Sequence, residues 1–295
     1  MRALTNKFVV VMLLVLAFLP PILRAEDIDL FVLAGQSNMQ GWQGNAEHYP
    51  VDPNGIDKRI RFYWATPQYS SSDGKWTFMQ PQGGIFSKGH FGPEVTFGRL
   101  LVNDGYNTAV LKYSLGSTGL AYTWKAPGQN GMYDQMLAEL KKAVTLLQKQ
   151  GHKVTLKALV WIQGESDAES KELADEYGSR LKLLIDHFRT KVAIDNRLPI
   201  ILGVDEQHSW IKAFPKVLEA QQQIARDEPA VIFTSMVGLE KADETHLTPK
   251  GLEEHGARLF AAYKVLATKC DHSNSARITP GRSSNTSKRP FKDGT

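Results

Sequence analysis

The sequence predicts an α/β protein: one three-layer domain whose mostly parallel sheet of about five strands is covered by helices on both faces. Three observations predict it. Short β-rich segments alternate with longer segments of helical spacing. The strand-like segments are apolar nearly throughout, as strands buried on both faces must be. Their carboxyl ends run into glycines and polar residues, where open α/β sheets place their ligands.

The elements follow in order. Residues 28–34 read as the first strand, ending at Gly35. Residues 94–103 have helical spacing, and 108–114 form the second strand, ending near Gly116. A helix over 132–150 closes at Gly151, a residue suited to a helix C-terminus. The third strand is 154–162, followed by a long helix over 169–192. A fourth strand at 199–204, a helix at 214–226 and a fifth strand at 231–236 come next. The last helix spans 249–268, with Thr248 a good N-cap and Pro249 a good first residue.

Two stretches break this alternation and read as loop insertions. Residues 42–93 are rich in Gly, Pro, Gln and aromatics, including Trp42, Tyr49, Trp64, Tyr69 and Trp76. Residues 116–131 hold Tyr122 and Trp124. Long loops in a compact domain are usually functional or disordered, and the aromatics argue against disorder here.

The two ends differ from the body. Residues 1–25 read as a cleaved export signal, with an uncleaved anchor as the alternative: Arg2 and Lys7, then an apolar run from Phe8 to Leu19. That run is shorter than the ~20 residues a membrane helix needs. Residues 268–295 read as a flexible polar tail, leaving 26–267 as the domain. The formal net charge of +4 belongs to the ends, because residues 26–267 carry 26 basic against 29 acidic residues. A nucleic-acid binder concentrates basic charge on its folded part, so that class is set aside. Cys270 is the single cysteine, which excludes an intramolecular disulfide.

The chemistry-bearing residues stand at the strand ends. Ser37 follows the first strand, Gly116 the second, Gln163 and Glu165 the third, and Asp243 with His246 the fifth. Each taken singly reads as a cap, a turn or a solvated group. Their joint placement reads as a nucleophilic site. A serine hydroxyl needs a base, for which imidazole is suited. The imidazole needs a carboxylate to fix its tautomer. Asp243 stands three residues before His246 and is the local candidate. The N–H groups of Ser37 and Gly116 and the Gln163 amide are candidate donors to an oxyanion.

Three blocks carry a family resemblance. Phe31-Val32-Leu33-Ala34-Gly35-Gln36-Ser37-Asn38-Met39, Trp161-Ile162-Gln163-Gly164-Glu165-Ser166-Asp167 and Asp243-Glu244-Thr245-His246-Leu247-Thr248 resemble the opening, central and closing blocks of the sialate O-acetylesterase-like group of SGNH hydrolases, carbohydrate esterase family 6. Leu115-Gly116-Ser117-Thr118-Gly119 resembles a weaker glycine block of the same group. The resemblance implies a flavodoxin-like sheet and a serine esterase of acetylated carbohydrates, such as acetylxylan, with no metal or cofactor. It implies Ser37 as nucleophile and His246 as base, with Ser37 N–H, Gly116 N–H and Gln163 as the oxyanion hole. The third triad member stays open between Asp243 and Glu165. No G-x-S-x-G elbow, H-E-x-x-H zinc motif or phosphate loop competes. The alternatives are a sugar-binding protein without turnover and an esterase of non-carbohydrate substrates.

Overall fold

The computed structural model describes residues 25–275. The expected leader lies outside the described residues apart from Ala25, and so does the expected tail beyond Ser275. Eight strands build one sheet: β1 (Asp27–Gly35), β2 (Arg61–Thr66), β3 (Ser70–Ser71), β4 (Thr77–Phe78), β5 (Thr108–Ser114), β6 (Lys153–Ile162), β7 (Ile200–Gly203) and β8 (Val231–Phe233). The order is β3-β2-β5-β1-β6-β7-β8, with β4 also on β2. Strands β2, β5, β1, β6, β7 and β8 pair in parallel, and the two-residue β3 and β4 pair antiparallel to β2.

The strand count corrects the sequence reading. β2, β3 and β4 all lie within 42–93, which reads as an insertion of loops. β2 forms because Phe62, Tyr63 and Trp64 are core residues and not a sugar-binding display. Phe62 and Trp64 stack on one face of the sheet at 5.1 Å, and Tyr63 packs against Trp76 at 5.5 Å on the other. The five expected strands keep the order second, first, third, fourth, fifth, which is the flavodoxin-like arrangement.

Among the described residues seven α-helices accompany the sheet: α1 (Ser37–Gln40), α2 (Glu94–Asn103), α3 (Met132–Lys149), α4 (Lys171–His187), α5 (Ser209–Ala213), α6 (Lys216–Asp227) and α7 (Pro249–Ser275). Alternation along β1 feeds both layers: Ile28, Leu30, Val32 and Ala34 join the core under α3, α4 and α6, while Phe31 and Leu33 join the core under α2 and α7. Each of these side chains larger than alanine, fully buried, contributes about 1.5–3 kcal/mol. α4 starts later than its periodicity predicts, because Ser170 accepts the N–H of Leu173 at 3.3 Å and caps it. α7 runs past the expected end at Thr268 to Ser275.

This topology positions the site. β1 lies between β5 and β6, where the strand order reverses, and a crevice opens there at the carboxyl ends. Gly35 ends β1 with φ +150°, and a Cβ there would stand 2.0 Å from the carbonyl oxygen of Ile162 in β6. Only glycine lets the chain turn there, which delivers Ser37 directly over the sheet.

Candidate active site

Ser37 is the first residue of α1, so its N–H has no acceptor within the helix. All four residues of α1 are buried, yet Ser37 lines a cleft of about 480 Å³. His246, Trp42, Tyr69, Gly116, Ser117 and Thr118 are among the other residues lining it.

His246 and Asp243 form a compact unit on the loop before α7. The Asp243 carboxylate accepts Nδ1–H of His246, with Oδ2 at 2.9 Å and Oδ1 at 3.1 Å. Oδ1 also accepts the N–H groups of Thr245 and His246, each at 2.7 Å. Partial burial pushes the Asp243 carboxyl up, but these hydrogen bonds outweigh it and hold the group down at about 2. A carboxylate fixed on Nδ1 leaves Nε2 as the ring nitrogen available to take a proton. The His246 ring lies 6.1 Å from Trp42, which meets Tyr69 edge to face at 6.0 Å.

The second carboxylate is elsewhere. Glu165 is buried, and its Oε1 accepts the N–H of Asp205 at 2.9 Å. Burial pushes its carboxyl up to about 7 against the pull of the hydrogen bonds it accepts. Its link to His246 is indirect: Asp205 pairs with Lys241 at 2.5 Å, and Lys241 donates to the carbonyl of Glu244 at 2.7 Å. The structure thus brings Asp243 to the histidine and bonds Glu165 to the backbone of Asp205.

Of the expected oxyanion donors, two are committed to other partners. The Gln163 amide is fully buried and gives its hydrogens to Thr118 O at 2.9 Å and Asp167 Oδ2 at 2.7 Å. Gln163 is not among the residues lining the cleft. Gly116 stands beside Ser37, but its N–H donates to Gln40 Oε1 at 2.8 Å. The physical reason is competition from Asp167, Thr118 and Gln40, acceptors that strand-end counting does not reveal. The next N–H groups, those of Ser117 and Thr118, border the same cleft and meet no acceptor among the described residues.

A family model described as carbohydrate esterase, sialic acid-specific acetylesterase, matches residues 27–265. The chain belongs to that family. It is a carbohydrate esterase with the SGNH-type fold. Among solved structures it is similar to a protein from Arabidopsis thaliana, at 25% identity and a TM-score of 0.62, covering 80% of this chain and 98% of that one. It is also similar to a carbohydrate acetylesterase from Xanthomonas citri, at 18% identity and 0.56, covering 82% of this chain and 56% of that one. NanS matches at 14% and 0.58, covering 83% and 99%. No curated protein matches the sequence.

The geometry of this carbohydrate esterase adds residues that the sequence reading missed. Lys112 of β5 and Glu94 of α2 are fully buried and paired at 2.7 Å. Lys112 Nζ donates to the carbonyl of Gln40 at 3.0 Å, and Glu94 accepts Gly92 N–H and Gln82 Nε2, each at 2.9 Å. The pair therefore ties down the far end of the Ser37 turn. A lone lysine inside an apolar strand was the signal that could have found it. The loop aromatics divide in two. Trp42 and Tyr69 border the cleft, whereas Trp124 is buried against Trp161 at 4.6 Å and Trp76 donates Nε1–H to Ala143 O at 2.8 Å. Among the described residues, no group of three or more His, Cys, Asp or Glu could hold a metal, and no helix is long and apolar enough to cross a membrane.

Proposed function

We propose that this carbohydrate esterase removes acetyl groups from sugar hydroxyls through a covalent acyl-enzyme, with Ser37 as nucleophile, His246 as base and Asp243 orienting the base. The carrying observation is the 2.9 Å bond from His246 to Asp243 beside the cleft that holds Ser37. Ser37 Oγ bonds to the acetyl carbon as its proton passes to His246 Nε2. The oxyanion is met by the N–H of Ser37 and by those of Ser117 and Thr118. The intermediate collapses, the bond to the sugar oxygen breaks, and that oxygen takes the proton from His246. Water repeats the cycle and releases acetate. Trp42 and Tyr69 supply an aromatic wall for the sugar ring. Export by cleavage of residues 1–25, with 26–267 as the working domain, belongs to the same reading.

The test is acetate release from a panel of acetylated glycans by the wild type and by Ser37→Ala. The wild type should release acetate from at least one glycan, and Ser37→Ala should lose roughly 10⁴-fold or more while remaining folded. A fluorophosphonate should label Ser37. Activity that survives the substitution, or that EDTA abolishes and zinc restores, would overturn the mechanism. Sugar binding without any hydrolysis would instead mark a binding protein.

A further inference from the structure

Asn38 follows the nucleophile in sequence and has no role in the chemistry just described. It is buried, with 2% of its surface exposed. Its Nδ2 donates to the carbonyl of Thr245 at 2.9 Å, and its Oδ1 accepts the N–H of Leu247 at 3.0 Å. These two backbone groups flank His246. One side-chain amide thus grips the base loop on both sides of the histidine, across more than 200 residues of chain.

We propose that Asn38 is a positioning residue whose two-point clasp on Thr245 and Leu247 sets the approach of His246 to Ser37. The inference rests on the reading of Ser37 and His246 as nucleophile and base. Three observations carry it. Ser37 and Asn38 are adjacent in one buried turn, so the clasp fixes the base loop relative to the nucleophile itself and not merely to the domain. Among the described residues, the other hydrogen bond between residues 37–43 and 240–248 runs from Gln43 Nε2 to Asp243 Oδ2, at 3.4 Å and exposed. The remaining bonds of the base loop are internal, run to Asp205 or run to the first turn of α7: Ala242 N–H to His246 O, Thr248 N–H to Glu240 O, the Lys241 contacts, Gly251 and Leu252 N–H to Thr248, and Lys250 to Glu240. They shape the loop without registering it on the serine.

The clasp needs one donor and one acceptor on a short, planar group. Asparagine meets that need. Glutamine is one methylene too long, leucine leaves both backbone groups unpaired, and an ionised aspartate keeps the acceptor but faces the Thr245 carbonyl with negative charge. A protonated carboxylic acid restores a donor beside an acceptor. That last property separates positioning from plain structural support.

Asn38→Ala and Asn38→Asp are compared with the wild type and Ser37→Ala on one acetyl ester, at temperatures well below unfolding. Asn38→Ala should lower kcat about 100-fold, the cost of a displacement near 1 Å, with KM nearly unchanged and fluorophosphonate labelling slowed in parallel. Asn38→Asp should be impaired at neutral pH, and the ratio of its kcat to that of the wild type at the same pH should rise as pH falls and the introduced carboxyl is protonated, a limb that a purely structural defect would not give. If Asn38→Ala fails to fold, the Asn38→Asp pH profile decides alone. A folded Asn38→Ala with kcat within threefold of wild type, or an Asn38→Asp profile without the new limb, overturns the clasp. Loss of the clasp effect while Ser37→Ala is dead leaves the catalytic reading intact. Activity in Ser37→Ala removes the catalytic reading instead.

Discussion

Ser37 stands on a turn whose four residues are all buried, whereas the Asp243 side chain is 42% exposed and that of His246 20% exposed. The turn is locked from below by a fully buried ion pair and by β1 and β5. The histidine loop is held by hydrogen bonds that are mostly its own. Ser37, the proposed nucleophile, is therefore placed by the core, and the loop that carries the proposed base, His246, is shaped by short-range polar bonds. Substitutions around the base should cost turnover and spare the fold. Substitutions behind the nucleophile should cost the fold first.

The largest expected effect lies on the base side. Asp243→Asn should lose roughly 10⁴-fold in kcat/KM, since an amide neither fixes the same ring tautomer nor stabilises the imidazolium. Its Oδ1 can still accept the Thr245 and His246 N–H groups, so the urea midpoint should barely move. A comparable loss in Glu165→Gln, with Asp243→Asn mild, would reverse the assignment of the two carboxylates.

On the nucleophile side, Lys112→Met leaves Glu94 charged and buried without its partner. Urea unfolding should report a loss of about 3–5 kcal/mol. Lys112→Met/Glu94→Gln should regain much of it, because Gln82 and Gly92 can still donate to the oxygen of the new amide. Unchanged stability in the single variant would break the contrast between the two segments.

The smallest effect sharpens the contrast at its boundary, behind the base loop. Burial raises the Glu165 carboxyl to about 7, from an ordinary value of 4.5. The folded protein therefore holds the extra proton between those values. Its contribution to stability is full below 4.5 and is lost as pH rises through about 7, by roughly 3 kcal/mol. Thermal melts of the wild type should fall across that window, and those of Glu165→Gln should be flatter. Parallel curves would place the titration on another group.

Five of the six strands of the parallel array, β1, β5, β6, β7 and β8, were legible in the sequence because apolar periodicity is a local property, read within a few residues of chain. Asp243 and His246 were legible as a pair for the same reason, since three residues in one turn suffice to join them. β2 was not, because a run of aromatics looks alike whether it will stack on a sugar or on β5, and only the neighbouring strand decides.

The sequence by itself thus determined the layer order, the turn that carries Ser37 and the local Asp243–His246 pair. The tertiary structure alone decided the rest. It gave the Gln163 amide to Asp167 and Thr118, put Glu165 on Asp205, and set Lys112 beneath the nucleophile turn. It also closed Asn38 on the histidine loop. Each of these outcomes is a competition for a hydrogen-bond partner. Several of the winning partners lie tens to hundreds of residues away, so folding had to bring the competitors together before any one of them could win.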